Sequence, residues 1–171
     1  HFQDEWLRDK QPGVWVPQEF KGQPFNIFET GGTTGMPKQR IGWNDYKVDY
    51  SEFSDSLDDA EFPRDHYWLM VGPTGPRRLR LSIEHLANVR GCSCYFVDLD
   101  PRWVKRLIAE KQFDQAKAYM EHVVDQATTI MKHREVSALF TTPKLLESVA
   151  ERLENEGSSL YEAGIRGVFC G

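Results

Sequence analysis

The sequence predicts an α/β fold with a mostly parallel sheet and crossover helices, and two observations support this prediction. From residue 67 onward, short apolar strands alternate with stretches of helical periodicity. The longest such stretch, residues 113–133, repeats its apolar residues every three or four positions, as a helix packed on a core does. Strands separated by helices pair in parallel, and parallel sheets bind ligands beyond the carboxyl ends of their strands. A ligand site is therefore expected where these strands end.

The first part of the chain has a different organisation. Residues 1–24 are rich in aromatic residues, Pro and Gly, and they predict an irregular leading segment. A short strand over 25–28, a Gly/Thr cluster and a return strand over 39–43 predict a hairpin, because consecutive glycines favour a tight turn. Residues 44–65 are acidic and aromatic, and predict a surface helix with a solvated face.

In residues 67–171, helix-capping residues, Gly and Pro mark where the predicted strands and helices begin and end. Apolar runs predict strands over residues 67–71, 94–97, 136–140 and 165–170. Helices are predicted from Ser82 through Val89, with Gly91 just past the end, from Asp100 to about residue 111, over 113–133, and from Thr142 to just before Gly157.

Composition narrows the class of protein. The chain has 171 residues and a formal net charge of −5, which argues against non-specific binding to nucleic acid. No apolar run approaches the roughly 18 residues that cross a membrane, and the polar start shows no secretory signal. A cytoplasmic protein is expected, and its oligomeric state cannot be read from the sequence.

Cysteine and histidine usage predicts neither a disulfide framework nor a metal centre. The odd count of Cys92, Cys94 and Cys170 does not suit a disulfide framework. Cys92 and Cys94 lie at strand spacing, so they are expected to share one face as buried free thiols. The five histidines are scattered, without zinc-ligand spacing, and no residue is assigned as a metal ligand.

The most informative segment runs from Glu29 to Lys38 with the sequence ETGGTTGMPK. Glycines allow backbone N–H groups to approach an anion closely, threonines add hydroxyl donors, and Lys38 adds a positive charge. This combination suits a polyphosphate. It is not a Walker A loop, because Met36 and Pro37 separate Gly35 from Lys38, and it lacks the Gly-x-Gly-x-x-Gly of dinucleotide-binding folds. A Gly/Thr hairpin without a ligand is the structural alternative.

The segment resembles the signature loop of the adenylate-forming superfamily, which comprises acyl- and aryl-CoA ligases, luciferases and peptide-synthetase adenylation domains. Its Thr-Ser-Gly-Thr-Thr-Gly-x-Pro-Lys pattern matches residues 30–38 at eight of nine positions, counting the free one, with Gly31 in place of Ser. The resemblance implies that these residues bind the phosphates of ATP: Thr30, Gly31, Gly32, Thr33, Thr34, Gly35 and Lys38.

Three further segments are similar to the phenylacetate–CoA ligase branch of that superfamily. They are a Gly/Pro-rich loop at 70–76, Thr141-Thr142-Pro143, and the apolar strand ending at Gly171. The resemblance implies that an acyl pocket lies near these segments, with its candidate residues His66, Tyr67, Gly72, Thr74, Thr141 and Thr142. Packing or capping roles are the alternative for these residues. Arg77 and Arg78 are candidates for a carboxylate or phosphate contact, and a surface role is their alternative.

The resemblance implies the N-terminal part of a large adenylation domain. The family's remaining nucleotide-binding segments and its small C-terminal domain with the catalytic Lys have no match in residues 1–171. Catalytic residues are therefore expected beyond Gly171, and this segment by itself is expected to be inactive.

The implied reaction joins a carboxylic acid, an aryl or arylacetic acid by the branch resemblance, to ATP with Mg²⁺. The resulting acyl-adenylate is passed to the thiol of CoA. Two alternatives remain open: transfer to the phosphopantetheine of an acyl carrier protein or to another protein thiol, and a non-catalytic nucleotide-binding relic of the ligase fold.

Overall fold

The computed structural model describes residues 5–30, 36–75 and 78–171, without the side chain of Trp6. Its strands form a two-stranded antiparallel hairpin and a four-stranded parallel sheet. The hairpin consists of β1 (Asn26–Glu29) and β2 (Gln39–Gly42). The parallel sheet has the order β4-β3-β5-β6 and contains β3 (Tyr67–Gly72), β4 (Ser93–Asp98), β5 (Val136–Thr141) and β6 (Gly167–Cys170).

Six α-helices surround these strands in the described residues. They are α1 (Trp6–Asp9), α2 (Asp45–Asp55), α3 (Arg78–Val89), α4 (Pro101–Ala109), α5 (Phe113–His133) and α6 (Pro143–Asn155). The α/β fold predicted from the alternation of strands and helices is confirmed. The leading segment, expected to be irregular, contains α1 and two single 3-10 turns, Pro12–Trp15 and Gln18–Phe20.

The central strand β3 divides its side chains between two cores, because successive residues of a strand point to opposite faces. Leu69 and Val71 join the core formed with α5 and α6. Trp68 and Met70 join the core formed with α3 and the segment after α2. A parallel sheet covered on both faces requires such an apolar strand, and Trp68 to Val71 are all buried.

One predicted helix boundary was wrong. We expected Ser82 to cap a helix, but α3 is already helical at Arg78 and Ser82 lies in its middle, 1% exposed. The sequence Arg-Leu-Arg-Leu alternates with a period of two, which hides the first turn of the helix from a pattern search. Asp100 does cap α4 as expected, since its side chain accepts a hydrogen bond from the Arg102 backbone N–H at 2.9 Å.

Cys92 and Cys94 share one face of the sheet as predicted, but only Cys92 is fully buried, whereas Cys94 is partly buried. Both contact the core on the α3 side of the sheet, and neither forms a disulfide. Burial raises the pKa of the Cys92 thiol, and it raises the pKa of Cys94 to about 12. Both thiols therefore stay protonated and unreactive near neutral pH.

Candidate functional site

The ends of the predicted phosphate-binding loop are closed by two hydrogen bonds. The backbone N–H of Thr30 donates to the carbonyl oxygen of Lys38 at 3.0 Å, and the backbone N–H of Lys38 donates to the Thr30 hydroxyl oxygen at 3.1 Å. These bonds extend the β1–β2 ladder, whose last pair is Glu29 with Gln39. The other predicted phosphate-binding residues, Gly31, Gly32, Thr33, Thr34 and Gly35, lie outside the described residues.

The base of the loop faces the carboxyl edge of the parallel sheet. A cavity of about 480 Å³ lies between the hairpin and that edge, and its lining is mostly apolar. Phe28, Thr30 and Ile41 line it from the hairpin, while Pro73 and Thr142 line it from the loops that follow β3 and β5. The topology therefore places the loop base at the edge where parallel sheets bind ligands.

The Gly/Pro-rich loop after β3 is anchored to the neighbouring strand. The backbone N–H and the hydroxyl of Thr74 both donate to Asp98 Oδ1 at 2.8 Å, and Thr74 is only 9% exposed. Asp98 ends β4 directly beside Gly72, the last residue of β3. The polar groups of Thr74 thus serve to hold the loop in place at the edge of the site.

The two threonines after β5 have different roles. The Thr141 hydroxyl is buried and donates to the Val71 carbonyl oxygen at 2.9 Å, which joins β5 to β3. Thr142 occupies the N-cap position of α6, but its side chain makes no capping hydrogen bond. The capping role that we considered for these hydroxyls is therefore wrong. Thr142 instead lines the cavity, and with Gly72 and Thr141 it also lines a narrow apolar cleft beneath it.

His66 and Tyr67 lie at the other edge of the sheet. Tyr67 begins β3, so about 16 Å of strand separates it from Gly72. His66 is exposed and precedes that strand, and the Tyr67 ring packs 5.8 Å from the ring of Tyr95. The structure therefore does not bring these two residues together with the other candidate pocket residues.

Arg78 begins the described part of α3 and lines the cavity. Its Nη2 lies 2.8 Å from carboxylate oxygens of both Asp45 and Asp49 on α2. Its buried Nε makes no hydrogen bond within the described part of the chain. Arg77 lies outside the described residues.

Sequence reasoning did not find several residues of the cavity. Phe28, Arg40, Ile41, Asp45 and Leu79 line it, and none carries a local motif. The pairing of β1 with β2 brings Phe28 opposite Arg40, and the tertiary fold adds Asp45 from α2 and Leu79 from α3. Alternation along the two hairpin strands was the signal available, but four-residue strands are too short for it to be specific.

The described residues contain neither a metal-ligand cluster nor a membrane-spanning helix. Residues 5–30, 36–75 and 78–171 contain no group of three or more His, Cys, Asp or Glu side chains that could hold a metal ion. In the same residues, no helix has both the length and the apolar character needed to cross a membrane.

Comparisons with known proteins establish the fold. No family model matches the chain, and no curated protein matches it. Its structure is similar to that of 2-hydroxyisobutyryl-CoA ligase in complex with 2-HIB-AMP and CoA in the thioesterification state. The TM-score is 0.60 at 15% sequence identity, and the match covers 92% of this chain and 29% of that chain.

Two other structures of that ligase are also similar. The open conformation in complex with 2-HIB-AMP and CoA gives a TM-score of 0.54 at 14% identity, covering 92% of this chain and 31% of that chain. The postadenylation state in complex with R3-HIB-AMP gives a TM-score of 0.54 at 13% identity, and the match covers 93% of this chain and 28% of that chain. The chain therefore has the α/β fold of part of an adenylate-forming CoA ligase, and it spans less than a third of the ligase that it matches.

Proposed function

We propose that this chain forms the ATP-phosphate-binding part of a ligase that activates a carboxylic acid as an acyl-adenylate and transfers the acyl group to a thiol such as CoA. One observation carries the proposal. The base of the Gly/Thr-rich segment is closed by hydrogen bonds between Thr30 and Lys38, and Thr30 lines the cavity at the carboxyl edge of the sheet. The same fold occurs in a ligase solved with an acyl-AMP and CoA.

In the proposed reaction, a carboxylate oxygen of the acid attacks the α-phosphorus of ATP, and the bond to the pyrophosphate oxygen breaks. The thiol then attacks the acyl carbon, and AMP leaves. Negative charge accumulates on the departing pyrophosphate, so groups that donate hydrogen bonds to it stabilise the transition state. The loop supplies such groups from its hydroxyls, its backbone amides and the Lys38 ammonium: Thr30, Gly31, Gly32, Thr33, Thr34, Gly35 and Lys38.

The acid is proposed to occupy the cavity between the hairpin and the sheet. A volume of about 480 Å³ is within the ordinary range for small-molecule sites. Phe28, Ile41 and Leu79 present apolar surface to it, which suits an aryl or arylacetic acid of the kind used by the phenylacetate–CoA ligase branch. Thr142 borders the cavity, and Gly72 and Thr74 belong to the strand end and loop beside it. His66 and Tyr67, at the opposite edge, are not part of this pocket.

Mg²⁺ enters the proposal as the ion that accompanies ATP. The side chains of residues 5–30, 36–75 and 78–171 do not form a metal-binding cluster of their own, so no step is assigned to a metal held by them. The proposed cellular location is the cytoplasm. The proposed acyl acceptor is CoA, and the alternative acceptor is the thiol of a carrier protein. A transfer assay with each thiol distinguishes the two.

The test is ATP–pyrophosphate exchange by the full-length protein with panels of aryl, arylacetic and short aliphatic acids. We expect exchange that depends on one class of acid and falls at least tenfold in a Thr33→Ala, Lys38→Ala double variant, since charge-assisted contacts contribute about 1.5–3 kcal/mol each. Lys47→Ala is the control, because it removes the same charge from an exposed position on α2. Folded protein that binds ATP but shows no exchange with any acid would contradict the ligase proposal.

A further inference from the structure

The strand that leads into the loop is joined to a distant part of the chain by an ion pair. Glu29 is the last residue of β1 and directly precedes Thr30. Its Oε2 lies 3.2 Å from Nη1 of Arg102, which is 73 residues away in the first turn of α4. The ion pair therefore connects the hairpin to the start of α4.

Arg102 is also bound to Asp100, the residue that caps α4. Its backbone N–H donates to Asp100 Oδ1 at 2.9 Å, and its Nε lies 3.5 Å from the same oxygen. The backbone N–H of Asp100 in turn donates to the hydroxyl oxygen of Tyr119 on α5 at 2.9 Å. Contacts within α4 and to α5 thus orient the Arg102 guanidinium independently of its contact with the hairpin.

Partial burial strengthens this ion pair. The side chain of Glu29 is 27% exposed and that of Arg102 is 39% exposed, whereas Arg106 on the same helix is 67% exposed in its pair with Glu110. Exposed pairs contribute little because water and salt screen them, and less exposed pairs are screened less.

The ion pair lies where three loops meet. A small cavity of about 60 Å³ is lined by Glu29 and Thr30 of the hairpin, by Pro73 and Gly75 after β3, and by the segment Asp98 to Arg102 after β4. Thr30 also lines the larger cavity. Any shift of the hairpin at Glu29 therefore moves the base of the loop relative to the proposed ATP and acid site.

We propose that the Glu29–Arg102 ion pair is a latch that holds the hairpin in the position that binds ATP, which makes Arg102 a positioning residue. This inference rests on the proposed function. If the hairpin occupies the binding position only part of the time, the apparent Kd for ATP rises by the inverse of that fraction. Loss of the latch therefore weakens ATP binding by changing how often the hairpin occupies the binding position.

The sign of the Glu29 effect separates the latch from simple electrostatics. Glu29 is a negative charge beside a proposed polyphosphate site, so its removal strengthens ATP binding if charge alone matters. The latch predicts the opposite result, because Glu29→Met also releases the hairpin from Arg102.

The experiment measures the Kd for ATP of the full-length protein and of Glu29→Met, Arg102→Met and the double variant. We expect both single variants to raise the Kd about three- to fivefold, and the double variant to raise it no further. Arg106→Met is the matched control, since it removes an ion pair from α4 that does not involve the hairpin. Tighter ATP binding by Glu29→Met, or additive losses in the double variant, would overturn the latch.

A second measurement tests the latch independently of ATP binding, and therefore independently of the proposed function. Amide hydrogen exchange without nucleotide reports how often β1 and β2 open. We expect faster exchange over Asn26–Glu29 and Gln39–Gly42 in both single variants and unchanged exchange in Arg106→Met. A wild-type protein that does not bind ATP would refute the proposed function, whereas unchanged exchange in the hairpin of the two variants would refute the latch.

Discussion

At the scale of single residues, Arg90 shows how a buried cation organises the chain. Its side chain is fully buried and donates to the carbonyl oxygens of Ser54 at 2.9 Å and Phe62 at 2.6 Å. It also forms an ion pair with Asp59. A buried charge is tolerated only when it is paired and hydrogen-bonded. Through these contacts, Arg90 links the segment between α2 and β3 to the C-terminal end of α3.

The pH dependence of stability follows from Asp59. Hydrogen bonds from Arg64 and then from Arg90 hold the pKa of the Asp59 carboxyl below its ordinary value of 3.8. A depressed pKa in the folded state stabilises the fold above the unfolded pKa, and this stabilisation disappears as the pH falls through the folded pKa. We therefore expect Asp59→Asn to be less stable than the wild type at pH 6, with the difference shrinking below about pH 3.8.

Urea unfolding at pH 6 and at pH 3 measures this difference. Glu61→Gln is the control, because it removes an equal charge from an exposed neighbour in the same segment. An equal loss of stability at both pH values in Asp59→Asn would contradict the assignment.

These residue-scale contacts were beyond sequence reasoning. The acidic stretch of residues 44–65 predicts a solvated face, and Asp45, Asp49 and Asp59 are indeed more than half exposed. Their partners Arg78 and Arg90 lie about 30 residues away, however, and no periodicity relates them. The packing of α2 against α3 brings Arg78 to Asp45 and Asp49. Asp59 meets Arg90 where the connection after α2 passes the end of α3.

At the scale of elements, β6 packs against the connection between α2 and β3. A Cβ atom added at Gly167 would lie 2.4 Å from the Glu61 carbonyl oxygen and 2.9 Å from the Phe62 ring. Residue 167 therefore has to be Gly for backbone and ring to approach the start of β6 this closely.

Gly167→Ala is expected to destabilise the fold by about 1–3 kcal/mol, because overpacking forces backbone and side chains to shift. The free energy of unfolding in urea measures the effect. Gly13→Ala is the control, since a Cβ there meets nothing within 4 Å, and we expect little change in that variant. A Gly167→Ala variant as stable as Gly13→Ala would contradict the close approach.

Elements with strong periodicity were predicted well. The helix α5 spans the predicted residues 113–133, because its apolar stripe continues for more than five turns. The predicted strands match β3, β4 and β5 to within one residue at each end. The start of α3 was missed, because Arg78 to Leu81 alternates with the period of a strand while it is helical.

At the scale of the whole molecule, the topology assembles the candidate site. The sheet order β4-β3-β5-β6 places the carboxyl ends of β3, β4 and β5 side by side, and the hairpin lies over that edge. The sequence predicted a ligand site at this edge. The assignment of the loop residues to phosphate binding rests on their composition and on the resemblance to the signature loop of adenylate-forming enzymes, and it stays a prediction. It did not predict that His66 and Tyr67 lie at the opposite edge, because proximity in sequence to β3 does not indicate which end of the strand faces the ligand.

The central claim is that the segment from Thr30 to Lys38 binds the polyphosphate of ATP. Equilibrium titration of the full-length protein with ATP and with AMP tests it most directly, using wild type, Lys38→Ala and the charge-matched control Lys47→Ala. We predict that Lys38→Ala weakens ATP binding about tenfold or more, in keeping with the loss of a charge-assisted contact, and that it changes AMP binding little. Equal ATP affinity in Lys38→Ala and Lys47→Ala would contradict the claim.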